Sequence, residues 1–541
     1  MFISPADRMK RVKIIFKTVI LAVGLTFAVR ANAQTVDEFR QFRQSLMNDF
    51  QGFRNKVLDD YADYLEGVWE EFSAFKAVER DATPKPVVAP KVPDKPVVTE
   101  PVSLPSPDIV PAPKPIDTPV LVVPEPATAP KPDVPTPRPI AVPQPAPTPQ
   151  PALTPQPVPT VPTAPITPTP PIMPAVPAGA SVGISFAGTT LNLPKIDVAH
   201  IKGTDSKSVA DGWRKYKTGN ALDAVPVLKS LADCYGMNDW LQFLMVRQYA
   251  NVLAKDCSVD DRILLQQFLL ANMGFDIRLA RTDVQLILLV PFDQMVYARS
   301  YLQFNGVNYY IYYDELEGTR NAQAKIYTCS LPEDADCGKR FDLMFNRDVT
   351  FPEGRTVERT LTDGAITVTE SVNADLMELL RHYPQMGVPA YATSDLSSDF
   401  RNDILAQISR QISGLSQKEA AGKLIHFVQY AFEYATDGNQ HGYEKPYFIE
   451  ENFYYPKNDC EDRAVFFAFL VHNLLNLDVH LVQFPGHECT AVRFNDALVV
   501  GDNYTHNGHK YTICDPTYIG ADIGMCMPMY KNEKLIVETW Y

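Results

Sequence analysis

Residues 83–178 are dominated by proline, valine, alanine and threonine, and proline recurs there in P-x-P and P-x-x-P steps. Proline donates no backbone hydrogen bond and fixes its own φ, and the stretch contains no aromatic residue, so it cannot build a hydrophobic core. We expect a disordered linker that forms an extended polyproline II spacer. The folded parts of the chain must therefore lie before and after it, and the part after it is long enough for two domains.

The first 33 residues have the layout of a secretory signal peptide. Lys10, Arg11, Lys13 and Lys17 form a positive region, residues 18–29 form an apolar run too short to span a bilayer comfortably, and residues 31–33 read Ala-Asn-Ala, a typical cleavage site. No later apolar stretch is long enough to anchor the mature chain. We expect an exported protein, periplasmic or cell-envelope associated in a Gram-negative bacterium or secreted, with no integral membrane segment after cleavage.

Residues 34–82 carry a regular apolar stripe. Its members step by three or four: Val36, Phe39, Phe42, Leu46, Phe50, Phe53, Val57, Tyr61, Tyr64, Val68, Phe72 and Phe75. This spacing predicts one long amphipathic, coiled-coil-like helix, which cannot bury its stripe alone. Acidic residues are mixed with lysine and arginine, unlike the basic polar face of a helix that lies on a membrane. We expect residues 36–75 to self-associate or to contact a partner protein.

Composition excludes several functions. The formal charge is −14 and no basic stripe occurs after the signal peptide, so nucleic acid binding is not expected. Glycine-rich phosphate loops, C-x-x-C and H-E-x-x-H motifs and EF-hand loops do not occur in the sequence. We therefore expect no cofactor and no metal.

Cys460 begins an apolar helix. The residues after it recur at helical spacing: Ala464, Phe467, Ala468, Val471, Leu474 and Leu475. A cysteine in the first turn faces unpaired N–H groups and the positive end of the helix dipole, which favour a thiolate. The acidic neighbours Asp459, Glu461 and Asp462 oppose this effect unless they cap the helix, point away or pair with Arg463.

His487 and Asp515 follow at separations of 27 and 28 residues. The histidine stands at the start of a strand after a Pro-Gly turn, and the aspartate ends the strand 510–514, which follows an Asn507-Gly508 hairpin turn. An aspartate in this place can accept a hydrogen bond from the imidazole and orient the ring as the base of a thiol. Each residue alone is more often structural, but the order Cys, His, Asp favours a catalytic triad over a metal site.

The strings N-D-C-E-D-R-A, G-H and D-P-T resemble motifs of the transglutaminase-like superfamily, whose members typically read G-D-C-x-D-x-A, G-H-A-W and D-P-T. The resemblance covers roughly residues 400 to 530. It implies an α+β, papain-like catalytic domain over residues 371–541, in which a helix bearing the cysteine packs on an antiparallel sheet bearing the histidine and the aspartate. It further implies that Cys460 is the nucleophile, His487 the general base and Asp515 the residue that orients it.

The chain departs from these motifs at two places. Asn458 replaces the usual glycine before the nucleophile, and Glu488-Cys489 replaces the small residue and the tryptophan after the histidine, which removes an aromatic shield of the site. The oxyanion donor is open. The backbone N–H of Cys460 is one candidate, and the side chains of Gln440 and Tyr455 are weaker ones.

Residues 179–370 also read as helices followed by antiparallel strands. Asp261-Arg262 before a helix and Asp276 after it echo Asp462-Arg463 and Asp478 of the catalytic domain, although Gln285 stands where a histidine is needed. Two interpretations remain open: a catalytically dead repeat of the catalytic domain, or an unrelated α+β domain.

The sequence contains eight cysteines. Cys329 and Cys337 flank a polar loop and form a candidate disulfide in an oxidising compartment. Cys489, Cys514 and Cys526 have two open readings, as disulfide partners or as buried thiols.

These features predict an exported cysteine peptidase or amidase that acts on protein or peptide amide bonds through an acyl-enzyme. Water as acceptor makes the protein a hydrolase, and an amine makes it a transglutaminase; we favour hydrolysis. The alternative is a catalytically retired transglutaminase-like fold that serves as an envelope binding or scaffolding protein.

Overall fold

The computed structural model of the protein describes residues 52, 55–56, 58–80, 86–93, 100–111, 181–316, 325–329, 338–496 and 499–539. The predicted signal peptide and most of the proline-rich linker lie outside these residues. Within them, no helix combines the length and the apolar composition needed to cross a membrane.

The described chain combines helices with mainly antiparallel sheets and is therefore an α+β protein. The helices are α1 (Ser206–Thr218), α2 (Ala224–Cys234), α3 (Asp239–Leu253), α4 (Val259–Met273), α5 (Ala374–Leu379), α6 (Val388–Thr393), α7 (Ser398–Gln411), α8 (Gln417–Tyr430), α9 (Asp437–Gln440) and α10 (Cys460–Leu475). The strands are β1 (Glu70–Phe72), β2 (Asp108–Pro111), β3 (Ser181–Phe186), β4 (Thr189–Pro194), β5 (Arg278–Arg281), β6 (Leu286–Pro291), β7 (Tyr301–Phe304), β8 (Val307–Tyr312), β9 (Ile326–Thr328), β10 (Thr356–Thr362), β11 (Thr367–Asn373), β12 (Glu433–Tyr434), β13 (Lys457–Asn458), β14 (Asp478–Phe484), β15 (His487–Arg493), β16 (Asn503–His506), β17 (His509–Cys514) and β18 (Ile536–Thr539).

Two six-stranded sheets dominate the fold, and they share one strand order. The first runs β1-β9-β5-β6-β8-β7, and the second runs β2-β18-β14-β15-β17-β16. In both, the outermost strand comes from the segment before residue 112, and a long helix (α4 or α10) directly precedes the other five strands. The five strands that follow the long helix therefore have the same topology in the two halves, whereas the outermost strand differs, since β1 pairs antiparallel with β9 and β2 pairs in parallel with β18.

The strand register agrees with this correspondence. Leu288 pairs with Tyr312 in the first sheet, and Thr490 pairs with Cys514 in the second, each 202 residues further along (490 minus 288, 514 minus 312). The hairpins β7–β8 and β16–β17 match at the same offset, and both turn through Asn-Gly with positive φ at the two residues, as a two-residue hairpin turn requires. This supports the interpretation of residues 179–370 as a degenerate repeat.

The first half does not carry the triad at the equivalent positions. The positions 202 residues before His487 and Asp515 are Gln285 and Tyr313. Helix α4 begins with Val259, where its counterpart α10 begins with a cysteine. A thiol mechanism of this type is therefore confined to the second half of the described chain.

The two halves share one hydrophobic core. A single cluster of buried side chains includes Trp213 and Phe268 from the first half and Phe427 and Phe466 from the second. The boundary expected after residue 370 falls inside β11, whose hairpin with β10 packs against α7.

The described part of the N-terminal helix ends earlier than its apolar stripe predicts. Residues 58–65 are helical, and β1 follows at residue 70. Gly67 is a poor helix former, and the indole of Trp69 donates to the carbonyl of Leu65, 2.8 Å away, which satisfies an end carbonyl. Tyr61 packs on Trp213 with ring centroids 4.5 Å apart. Tyr61 and Tyr64 of the stripe are half-buried against the same chain, whereas Val68 is 85% exposed; residues before 52 lie outside the described part.

Part of the proline-rich segment is ordered, contrary to the prediction of a disordered spacer. Leu104 is buried in the core of the second sheet, and β2 pairs in parallel with β18. Upstream, Val92 donates to the carbonyl of Ile519, 3.0 Å away. An exposed sheet edge offers unpaired backbone groups, and an extended segment with a few apolar residues can pair with them. Residues 112–178 lie outside the described part.

Candidate active site

Helix α10 places Cys460 at its first position and packs against β14 and β15. Two acidic residues near Cys460 accept hydrogen bonds from backbone N–H groups. Asp459 accepts from the N–H of Asp437, 3.2 Å away, and Asp462 accepts from the N–H of Tyr447, 2.9 Å away. Asp462 also accepts from the N–H of Asp459, 3.4 Å away, in a capping box. These two buried carboxylates therefore cap the helix, which was one of the sequence-based alternatives, and also fix the loops around its start.

Arg463 pairs with an amide instead of an acid. Its Nε donates to Asn458 Oδ1, 2.9 Å away, and its Nη2 donates to the carbonyl of Phe432, 3.0 Å away. Asn458 also donates to Asn452 Oδ1 at 3.0 Å. The residue that replaces the usual glycine therefore holds Arg463 and the loop before the nucleophile in place.

His487 and Asp515 are brought together by neighbouring strands. His487 begins β15, Asp515 follows β17, and these two strands are paired. His487 Nε2 lies 2.8 Å from Asp515 Oδ2. The other carboxylate oxygen of Asp515 accepts from the N–H groups of Thr517 and Tyr518, 3.0 and 3.1 Å away. The D-P-T turn thus fixes the carboxylate that fixes the imidazole.

The hydrogen bond to Asp515 uses only one ring nitrogen of His487, Nε2. Nδ1 is buried and has no hydrogen-bond partner among the described residues. The ring of Tyr530 stacks on the imidazole, with centroids 5.3 Å apart and planes 10° apart. Burial raises the pKa of Tyr530 to about 12, and electrostatic interaction with Cys460 and Asp515 adds to this effect. Tyr530 therefore lies close to all three predicted triad residues.

Gln440 and Tyr455 lie in an aromatic layer beside the site. The amide of Gln440 donates to the carbonyl of Lys457, 3.2 Å away, and also contacts the hydroxyl of Tyr447. Tyr455 stacks on Tyr447 with centroids 5.0 Å apart, and burial raises its pKa. The amide of Gln440 is thus engaged elsewhere, which weakens it as an oxyanion donor.

Four groups of side chains among the described residues have donor atoms close enough to hold a metal ion, and one of them contains two predicted triad residues. A donor atom each from His487, Cys489 and Asp515 lies within 4.8 Å of the others. However, burial raises the pKa of the Cys489 thiol well above its ordinary value, which keeps it protonated. The imidazole Nε2 and the carboxylate are already hydrogen-bonded to each other, so a metal has to break that bond. The donors fit a triad better than a metal.

The described cysteines are free. Cys329 is a free thiol that donates to the carbonyl of Tyr64, 3.5 Å away; Cys337, its predicted disulfide partner, lies outside the described residues. Cys489, Cys514 and Cys526 are buried free thiols. Disulfide partners and buried thiols were the two alternatives for these three cysteines, and the structure shows buried thiols.

A buried ion cluster beside the triad was not predicted from the sequence. Arg80 lies 2.8 Å from Glu444, 3.2 Å from Glu461 and 3.7 Å from Glu488. Glu461 follows the predicted nucleophile, and its other oxygen lies 3.4 Å from the thiol of Cys460. The only sequence signal was the acidic residue after each of the two motif positions, Cys460 and His487.

A cavity of about 430 Å³ opens next to this cluster. Glu444, Tyr443, His441, Arg381 and Tyr297 are among its lining residues. Burial lowers the pKa of His441 to about 4, with the charges of Lys445 and Arg381 adding, so its imidazole is neutral at physiological pH. The aromatic loop before the nucleophile thus forms part of a cleft wall.

Comparison with protein-family models, with curated proteins and with solved structures finds no match for this chain. The class of the protein has to be inferred from its own site. That site combines a thiol at a helix N-terminus with a hydrogen-bonded imidazole–carboxylate pair, all buried. Such groups can activate a thiol for attack on a carbonyl.

Proposed function

We propose that the protein is an exported thiol enzyme with a papain-like, transglutaminase-like C-terminal half that cleaves amide bonds of proteins or peptides. The observation that carries the proposal is the buried His487–Asp515 hydrogen bond through Nε2, which leaves Nδ1 free to take a proton. In this arrangement the aspartate sets the tautomer and the orientation of the imidazole.

The reaction follows from these roles. The Cys460 thiol gives its proton to Nδ1 of His487, and the thiolate attacks the carbonyl carbon of the amide. His487 returns the proton to the leaving amine as the C–N bond breaks, which leaves a thioester on Cys460. Water then attacks the thioester while His487 takes its proton, and the acid departs as the thiol is restored. An amine in place of water gives transfer instead of hydrolysis.

The backbone N–H of Cys460 is the proposed oxyanion donor. It belongs to the first turn of α10, where the helix dipole favours negative charge. Stabilising the developing oxyanion at this point adds to the effect of the triad.

A retired binding protein is the second candidate. The observation that favours it is the burial of Cys460, which is 1% exposed, beneath the ion cluster of Arg80. A fold that keeps the triad but covers the thiol fits a structural component of the cell envelope.

Alkylation of Cys460 by iodoacetamide, followed by mass spectrometry over a range of pH, distinguishes the two candidates. The mature chain from residue 34 is compared with His487→Ala and with the control His426→Ala, which removes an exposed histidine paired with Asp363. An active enzyme should be labelled at about pH 6 in a His487-dependent manner, because an imidazolium lowers the thiol pKa. Labelling that rises only near about pH 8.5, the ordinary thiol value, and ignores His487→Ala contradicts the enzyme.

A further inference from the structure

Two described segments of the N-terminal part of the chain contact residues that neighbour the predicted triad in sequence. We call these segments, residues 75–80 and 86–93, the arm. The N–H of Phe75 donates to the carbonyl of Tyr301 in the first half, 2.8 Å away. Further along, the carbonyl of Pro90 accepts from the N–H of Ile519, also 2.8 Å away and four residues after Asp515. The arm thus begins on the first sheet and reaches the loop that follows the triad aspartate.

Between these points the arm inserts Arg80 into a set of three glutamates, Glu444, Glu461 and Glu488, which we call the glutamate socket. The Arg80 side chain is 4% exposed, Glu461 0% and Glu488 3%. Glu461 and Glu488 directly follow the predicted nucleophile and the predicted base. The socket therefore lies immediately beside the atoms that would react.

The charges of the socket restrict how it can open. Burial lowers the pKa of Arg80, but the charges of Glu461, Glu444 and Glu488 outweigh this and hold it well above its ordinary value. If Arg80 leaves and nothing replaces it, these carboxylates lose the positive charge that faces them, which is strongly unfavourable for buried groups. Exchange for another cation avoids that penalty. A group that displaces Arg80 from this position should therefore itself be positively charged.

The fit of Arg80 to the socket is incomplete. Its two Nη atoms contact carboxylates, but its Nε is buried and has no hydrogen-bond partner among the described residues. The cavity of about 430 Å³ shares Glu444 with the socket, and its wall residue Ala298 donates to the carbonyl of Val78 in the arm, 2.8 Å away. Space for the rest of a peptide therefore lies next to the place that Arg80 fills.

We propose that the glutamate socket is a specificity pocket for an arginine or lysine side chain of a protein or peptide substrate, and that Arg80 occupies it in the resting enzyme. The inference rests on the proposed thiol chemistry and names its substrate class. Arginine is the better ligand, because its planar fork of N–H donors reaches several carboxylates at once, whereas lysine is a point charge. In the resting enzyme the arm then covers the thiol, and Arg80 occupies the position that the substrate side chain would take.

The first test replaces Arg80 by alanine in the mature chain and measures the rate of Cys460 alkylation. The matched control is Lys91→Ala, which removes an exposed positive charge from the same arm. Arg80→Ala should be labelled at least about tenfold faster than the wild type, since the cover is loosened, and Lys91→Ala should behave like the wild type. Methylguanidinium should slow the labelling of Arg80→Ala again, methylammonium should do so less, and neutral methylurea should have no effect. Protection that is absent or equal for all three compounds overturns the socket.

The second test compares two fluorogenic peptides that differ only in arginine against citrulline, its neutral isostere. Arg80→Ala should cleave the arginine peptide at least about tenfold faster than the citrulline peptide, because the neutral citrulline cannot form the buried charge pair. Adding Glu488→Gln should reduce that preference. If circular dichroism shows that Arg80→Ala does not fold, Glu488→Gln in the otherwise wild-type chain replaces it. This variant should bind Arg80 less tightly, so alkylation of Cys460 should become faster. An unchanged rate of alkylation contradicts the proposal.

These experiments distinguish failure of the specificity-pocket proposal from failure of the thiol-enzyme proposal. Labelling that depends on His487 in every variant, with no preference for arginine over citrulline, leaves the thiol enzyme and removes the socket. Labelling of Arg80→Ala that methylguanidinium suppresses but that ignores His487→Ala leaves a cation-binding socket and removes the catalytic triad.

Discussion

Tyr530 stacks on His487 with ring centroids 5.3 Å apart and planes only 10° apart. The other side of this contact is also aromatic, because Phe484 stacks on Tyr530 with centroids 4.9 Å apart. The imidazole is thus held by a hydrogen bond at its edge and by a ring on its face. Two separate constraints on one catalytic group can be tested separately.

Replacing Tyr530 by alanine should release the face of the imidazole while leaving its hydrogen bond to Asp515. We expect the His487-dependent alkylation of Cys460 to slow by about tenfold or more, because small misplacements of a catalytic group are costly. Tyr530→Phe is the matched control, since it keeps the ring and removes only the hydroxyl. A wild-type rate in Tyr530→Ala, measured over the same pH range, shows that the stacking has no role in positioning.

Replacing Asp515 by asparagine should leave the thiol and the imidazole in place but disturb the tautomer of His487. The amide can still accept one hydrogen bond, yet it no longer stabilises an imidazolium. A decrease in activity of about 10²–10⁴-fold is expected from the known cost of this change in triads. The measurement is peptide hydrolysis with Arg80→Ala as background, so that the cover does not limit the rate.

The control for this prediction is Asp522→Asn, at a nearby aspartate on the same loop. Asp522 lies seven residues after the triad aspartate and is exposed. If both substitutions reduce the rate equally, the effect reflects the loop and not the orientation of His487.

Local sequence signals were sufficient to predict several elements of the second half of the chain. The predicted helix that begins at Cys460 is α10, His487 begins β15 as predicted, and the predicted strand 510–514 lies within β17. The predicted hairpin at Asn507-Gly508 joins β16 to β17. Each of these features depends on residues within a few positions of one another, so periodicity, caps and turn residues carry the information.

The arm and the socket depend on contacts that no local pattern encodes. Arg80 and Glu461 are 381 residues apart in sequence, and nothing in the spacing around either residue indicates the other. The apolar stripe around residue 72 predicted a continuing helix, but Phe72 lies in β1, which pairs with β9. Tertiary pairing with an open sheet edge overrides local periodicity in such a segment. Pairing with an open sheet edge likewise forms β2, although the proline-rich composition of that segment does not predict a strand.

The docking of the proline-rich segment on the second sheet leads to a stability prediction. Leu104 is 5% exposed and packs in the cluster that contains Tyr504 and Tyr511. Leu104→Ala should lower the free energy of unfolding by about 2–3 kcal/mol, the lower part of the range for buried leucine, because the site is at the sheet edge. Val102→Ala, at a residue that is 37% exposed, is the control.

Denaturant unfolding measures this difference, and limited proteolysis locates it. Cleavage between residues 86 and 111 should become faster in Leu104→Ala than in Val102→Ala, because local release of the segment precedes global unfolding. Equal proteolysis of both variants contradicts the ordered docking of these residues.

Glu450 leads to a prediction about pH. It is buried, its Oε1 accepts from the N–H groups of Leu396 and Ser397 at 3.1 and 3.2 Å, and its Oε2 has no partner among the described residues. Burial raises the pKa of Glu450 to about 8, and the charge of Asp395 adds to the effect. The folded state therefore holds this proton more tightly than the unfolded state does.

Because the folded-state pKa is raised, the stability associated with Glu450 is fully present below the ordinary glutamate pKa and is lost as the pH rises towards about 8. Glu450→Gln is neutral at every pH and keeps an acceptor for the two N–H groups. The stability of this variant relative to the wild type should rise between pH 5 and pH 9 by an amount on the order of 4 kcal/mol, since one pKa unit corresponds to about 1.4 kcal/mol. Glu358→Gln, at an exposed position of β10, should show no such trend. Urea unfolding of the three proteins at several pH values measures the difference, and a difference that stays constant with pH shows that Glu450 is ionised in the folded protein.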